Sequence, residues 1–323
     1  MQTIDYIGLS LIALGLGALQ IFLDKGQQED WFDSNFIIFF AIIAVIGLVG
    51  AVIWLLRQKE PVVKLSLFSL PSFSMPSLMI FFVGFALYSS STLLPMMVQS
   101  NFGYDATLAG MVLSPSGLVV ICIMPIIGKL VNKVQAKYLI STGMFLMAFG
   151  MWATAQITPQ SDYWTLVQVR ILQVIGLPFL FVPSSTLAFS KIKAVDSSNA
   201  SAIVALMRNL GGSIEIAIVT NKLIQSQQVE QNNIVQHLTN FDIGYNNALY
   251  NMTNTIKNLG FSETQASQMA LGKIYRELMH QASLLAYADA YEFVATIMIL
   301  LGIVALFMPK NELHGKKKTV VIE

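Results

Sequence analysis

The chain has 323 residues, 55% of them hydrophobic and only 11% charged, with a mean hydropathy of +0.64 and a formal net charge of +1. A soluble domain is about 45–50% apolar and about 25% charged, so this composition excludes an ordinary soluble fold. Near-neutral charge with scattered Lys and Arg offers no field for nucleic acid, and one cysteine, Cys122, excludes an internal disulfide.

A membrane-spanning helix needs about 20 apolar residues. Eight stretches qualify: Tyr6–Leu23, Phe36–Leu56, Leu78–Val98, Leu108–Ile127, Leu139–Ala155, Leu166–Phe189, Ala200–Leu223 and Leu285–Met308. No basic residue precedes the first, so it is expected to be a span and not a cleavable signal. The chain is therefore read as an all-α membrane protein of about eight transmembrane helices. Pro115, Pro125, Pro178 and Pro183 are expected to kink their helices, and Gly211-Gly212 to permit close helix contact.

Loop charges set the orientation. With residue 1 on the cytoplasmic side, the inner connections carry Arg57, Lys59, Lys64, then Lys129, Lys133, Lys137, then Lys191, Lys193, and finally Lys310, Lys316, Lys317 and Lys318, which is 12 of the 19 basic residues. The short outer loops hold only Lys25 beside Asp24, Glu29, Asp30, Asp33, Asp105 and Asp162. Basic residues concentrate in cytoplasmic loops, so both chain ends are expected to be cytoplasmic. By that rule Ile224 to Ser283, a long polar segment rich in Asn and Gln, faces outside. Within it, Ser262-Glu263-Thr264-Gln265 reads as a capping box. The apolar spacing through Met269, Ile274 and Leu278 is helical, so a helix standing outside the membrane is expected to run toward the last span.

The outer loop Leu23-Asp24-Lys25-Gly26-Gln27-Gln28-Glu29-Asp30-Trp31-Phe32-Asp33-Ser34 resembles the loop between the linker helices of EmrB/QacA-type drug:proton antiporters, the fourteen-helix branch of the major facilitator superfamily. The likeness continues through Pro61, Leu65-Ser66-Leu67-Phe68, Leu94-Pro95, Phe102-Gly103-Tyr104, Ala109-Gly110, Pro115-Ser116-Gly117 and Pro125-Ile126-Ile127-Gly128. It resumes at Arg170-Ile171-Leu172-Gln173, at Arg208-Asn209-Leu210-Gly211-Gly212-Ser213 and from Gln281-Ala282 to Asp289. Major facilitator proteins have two six-helix halves with substrate between them. The resemblance therefore implies two linker helices (1–60) followed by the C-terminal six-helix half (61–323), with an outer loop at 224–283 and a basic cytoplasmic tail at 309–323. The first six helices and their motifs are not in this sequence, so a fragment, a split gene product or an internal start is expected. The family further implies a bacterial plasma membrane location, protons and drug-like molecules as partners, and, in a two-membrane envelope, a periplasmic adaptor and an outer-membrane channel. No cofactor is implied.

The candidate residues follow. Gly128-Lys129-Leu130-Val131-Asn132-Lys133 resembles the second-half echo of the family's cytoplasmic loop motif, in which Gly turns the chain and a basic residue latches a gate; Lys137 follows. Asn132 stands where Asp is usual, which weakens any latch, and the same residues read foremost as a positive-inside anchor. Arg208 and Glu215 are intramembrane charges, which usually face the protein interior or water. Seven residues bring them back to one helix face about 10.5 Å apart. Glu215 stands where the family usually has Gly, so a proton-carrying role and a merely hydrogen-bonded one both remain open. Arg208, Asn209, Arg170 and Gln173 are candidates for cavity or gate, and Asp289 for proton coupling. Arg170 and Gln173, like Asp289 and Glu292, share a face and also read as residues snorkelling to the interface. The 16 Met and 20 Phe suit a repackable apolar cavity as well as a lipid-facing surface. His237, His280 and His314 are dispersed and indicate no metal site, and no nucleophile or phosphate loop is visible. The sequence thus reads as proton-coupled export of amphipathic drug-like compounds; a siderophore or metabolite exporter and an inactive or scaffold fragment are the alternatives.

Overall fold

The computed structural model describes residues 5–27, 29–58, 61, 63–190, 192, 193, 196–236, 238 and 242–308. Lys59, Lys191, His237 and the tail at 309–323, with its four lysines and His314, lie outside the described residues. The described chain forms α1 (Tyr6–Lys25), α2 (Asn35–Arg57), α3 (Pro71–Asn101), α4 (Ala106–Leu130), α5 (Ala136–Ala155), α6 (Tyr163–Val174), α7 (Leu177–Phe189), α8 (Ser197–Gln236), α9 (Ile243–Lys257) and α10 (Glu263–Leu306). Among the described residues there is no strand, and eight helical stretches are long and apolar enough to cross a membrane. The protein is an all-helical, multi-pass membrane protein.

The sixth expected span is two helices, because Gly176 and Pro178 interrupt it. Pro178 has no amide to offer the carbonyl of Val174, and Gly176 lies where a side chain would strike Gly143 and Met147 of α5. Small residues set the other close crossings as well. Gly15 of α1 packs on Gly47 and Leu48 of α2, while Gly84 of α3 and Gly211 of α8 meet the backbone of Arg208 and Phe81 respectively. In lipid there is little hydrophobic drive between helices, so such close approach carries much of the packing energy. The main core joins α3, α4, α5, α6, α7, α8 and α10 around Met144, Met147, Tyr291 and Met298, each 0% exposed. The α1–α2 hairpin lies at its side, with α1 against α8.

Several loop acids have a local task. Asp105 accepts from the Leu108 amide (2.7 Å) and Asp162 from that of Thr165 (3.0 Å), capping α4 and α6. A carboxylate there satisfies an orphan N–H and opposes the helix dipole. At the opposite end Lys137 donates to the Leu306 carbonyl (3.2 Å) in the last turn of α10. The charge asymmetry between the two ends is therefore partly helix capping. Asp5 caps α1 and also accepts from the Trp54 indole (2.9 Å), which ties α1 to α2. Lys64 and Asp196 form an ion pair (2.6 Å) that fastens the α2–α3 connection to the start of α8.

The segment expected as a loop at 224–283 is mostly helix. α8 runs 40 residues and α10 runs 44, each about 60 Å or more at 1.5 Å per residue, against a hydrocarbon core of about 30 Å. Both therefore project well beyond the span, and α9 closes the projection over a small core of Ile256, Ala266 and Ala270. The capping box is present: the Gln265 amide reaches the Ser262 hydroxyl (3.4 Å), and the Gln265 side chain accepts from the Ser262 amide (3.3 Å).

Candidate functional site

The α3–α8 interface carries the most unusual buried group. Glu215 is 1% exposed on α8, beside the Ser89 hydroxyl of α3, and its Oε2 has no hydrogen-bond partner among the described residues. The helices come this close because Gly84, Gly211 and Gly212 present no side chains; a Cβ on Gly212 would enter the Tyr88 ring. A buried polar atom is normally paired, so a carboxyl oxygen left alone here is a costly arrangement. Arg208 lies two turns away along α8 and is half-buried; among the described residues it forms no ion pair with Glu215 or with any other acid. Its backbone, like Glu215, is on the side of α8 that meets α3. Glu215 is thus enclosed between helices and does not stand at an open cavity wall.

Arg170 and Gln173 correct one expectation. Neither snorkels: they are 8% and 0% exposed, packed inside the bundle. The Arg170 guanidinium donates to the Ser90 carbonyl of α3 and to the Gln173 Oε1 (3.4 Å). Gln173 in turn donates to the Thr154 hydroxyl of α5 (2.8 Å), which donates to the Gly150 carbonyl (2.7 Å). Pro95 leaves the Ser91 carbonyl without its helical donor; Arg170 bonds the neighbouring carbonyl of Ser90. The Tyr291 hydroxyl of α10 lies beside Arg170 and Gln173, yet neither it nor the Arg170 Nε completes a hydrogen bond among the described residues. This network joins α3, α5 and α6 through groups that are almost fully desolvated. Ser89 and Ser90, adjacent on α3, stand between it and Glu215.

The remaining candidates lie apart. Asp289 is half-buried and Glu292 exposed on α10. Asn209 is exposed on α8, and its carbonyl lies 3.1 Å from the Ser213 hydroxyl. Gly128 does not turn the chain: it is helical, two residues before the end of α4, and a Cβ there would meet nothing within 4 Å. Asn132 folds back toward the Gly128 carbonyl (3.4 Å), and Lys133 is exposed with no acidic partner among the described residues. Lys137 is a helix cap, with its ammonium also 5.3 Å from the Tyr138 ring.

Sequence reasoning missed Ser89, Ser90, Thr154 and Tyr291. The run Ser89-Ser90-Ser91 inside an apolar span was the available signal, since small polar residues in lipid usually bond across helices.

The family model described as Major Facilitator Superfamily matches residues 7–214. The chain belongs to the Major Facilitator Superfamily. Within it the relatives are of EmrB type. The chain is 32% identical over 267 residues to "Multidrug export protein EmrB" of Haemophilus influenzae, covering 82% of this chain and 52% of that protein. It is 28% identical to the Escherichia coli K12 protein of the same name, covering 95% of this chain and 59% of the other. To "Fatty acid resistance protein FarB" of Neisseria gonorrhoeae it is 27% identical, covering 96% and 60%. The chain thus spans about half to three-fifths of the length of these relatives. The family match ends at residue 214, so Glu215 and the projecting hairpin lie beyond it, while the match to the Escherichia coli protein covers 95% of this chain.

Proposed function

We propose that the chain supplies two linker helices (α1, α2) and one six-helix half (α3 to α10) of an alternating-access transporter that exports amphipathic drug-like compounds in exchange for protons. The other half would come from six further helices, packed against this one about a pseudo-two-fold axis. The observation that supports this reading best is Glu215: a carboxyl enclosed at a glycine-packed helix crossing, with one oxygen unpartnered. A group in that setting is suited to gain and lose a proton as helices separate and close. The relatives' names, two for multidrug export, support the substrate class. The name of FarB favours a second reading, in which the amphipaths include fatty acids. In a two-membrane envelope a periplasmic adaptor and an outer-membrane channel would complete the export path.

The proposed orientation puts the basic end, with Lys133, in the cytoplasm and the helical hairpin outside. Gln228 and Lys133 are both exposed. In a Cys122→Ser background, Gln228→Cys should react with a membrane-impermeant maleimide in intact cells, and Lys133→Cys only after permeabilisation. Labelling of Lys133→Cys in intact cells would contradict the orientation.

A further inference from the structure

We infer that the cleft between the linker helix α1 and α8 is a binding site for small uncharged amphipaths with a hydrogen-bonding head. The cleft, partly open, offers about 270 Å³ and is walled by leucines of both helices together with Gly17, Gln20, Asn209 and Ser213. Its base is closed by a hydrogen bond from the Ser213 hydroxyl to the Gln20 Oε1 (2.8 Å). The Gln20 amide is itself held by Asp24 (3.3 Å). That leaves the Asn209 carboxamide, which makes no side-chain hydrogen bond among the described residues, as the free donor and acceptor in the cleft.

The dimensions and chemistry together select the ligand. The walls run from Leu16 to Gln20 on α1 and from Leu206 to Ser213 on α8, about 6 and about 10 Å of helix. That length suits a molecule of two aryl groups. Ligand pockets are mostly apolar with a few placed polar groups, and the size here falls just below their usual range, which suits a small ligand. No ionisable side chain lines the cleft, so nothing in it would offset the desolvation of a permanent charge. The site is distinct from Glu215, which faces α3, and from the Arg170 network between α3, α5 and α6.

Gly17 provides a clean test, because a Cβ there meets nothing within 4 Å. Gly17→Leu places four carbons in the cleft, the first of them in open space. The probe is N-phenyl-1-naphthylamine, an uncharged two-lobed arylamine, titrated into the 323-residue chain in lipid nanodiscs, with empty discs subtracted for partitioning. We expect a saturable fluorescence rise whose Kd increases tenfold or more in Gly17→Leu and about fivefold in Asn209→Leu, the latter being one lost hydrogen bond. Both variants should elute as the parent does on size exclusion. The absence of a saturable component, or one that Gly17→Leu leaves unchanged, would overturn the site. Loss in Gly17→Leu with no change in Asn209→Leu would reveal an acyl chain in the cleft and overturn the hydrogen-bonding assignment. Displacement of the probe by equimolar ethidium would overturn the preference for uncharged ligands. The assay reads binding alone, so its outcome is separate from whether the chain exports.

Discussion

Gly211→Leu should abolish folded protein. A Cβ at that position meets the Phe81 carbonyl and lies close to the Phe85 amide (3.2 Å) of α3, and the facing Gly84 is equally tight against the Arg208 carbonyl. These are backbone atoms in two long helices, so no rotamer change relieves the clash. Overpacking a tight core costs about 1–3 kcal/mol for a modest insertion, and a whole leucine between two backbones should exceed that. The expected result is aggregation or loss of the monodisperse peak on extraction. Gly110→Leu in α4 is the matched control: the same substitution, in a helix of the same bundle, where a Cβ meets nothing within 4 Å. It should express and elute as the parent does. A Gly211→Leu protein as stable as the Gly110→Leu one would show that α3 and α8 are not in contact as described.

The second large effect is functional. If Glu215 carries the coupled proton, Glu215→Gln in the complete two-half protein should reduce proton-driven export to background while leaving insertion and drug binding near normal. Gln retains the size and much of the hydrogen-bonding capacity of a protonated carboxyl beside Ser89, but it cannot release a proton. Glu215→Gly, the residue that the family resemblance implies there, separates coupling from packing. A glycine there costs about 1 kcal/mol of helix propensity, so a purely structural Glu215 would show as reduced stability with coupling intact. Full gradient-driven export by Glu215→Gln at normal expression would leave Glu215 as a buried polar residue of the α3–α8 interface.

Much of this architecture is legible in the sequence. The spans are visible because lipid forces each helix to be long and apolar, and the capping box because four consecutive residues encode it. What cannot be read depends on partners from elsewhere in the chain. Arg170 and Gln173 share a helix face, and periodicity says so, but whether that face meets water or α3 is decided 80 residues away at Ser90. Gly128 sits in a motif that suggests a turn, yet α4 continues through it to Leu130 and the chain turns afterwards. The break at Gly176 is set by α5, not by its own neighbours alone. The polar segment after Leu223 resembles loop because its helices pair with each other above the membrane and need few apolar residues. Glu215 stands out for the opposite reason: a carboxyl in an apolar span is conspicuous from residue type and position alone. Its enclosure against Ser89, instead of exposure in a cavity shared with Arg208, is not legible there.

The proposed function makes this chain one working half of an exporter. The direct measurement is efflux of an amphipathic dye from cells expressing the chain alone, a six-helix first half from an EmrB-type relative alone, or both, with and without a protonophore. Because one half has nothing to rock against by itself, the account predicts efflux only from cells expressing both, with the two polypeptides copurifying, and its collapse when the proton gradient is discharged. Gradient-dependent efflux by the chain alone, or none from a copurifying pair, would contradict it.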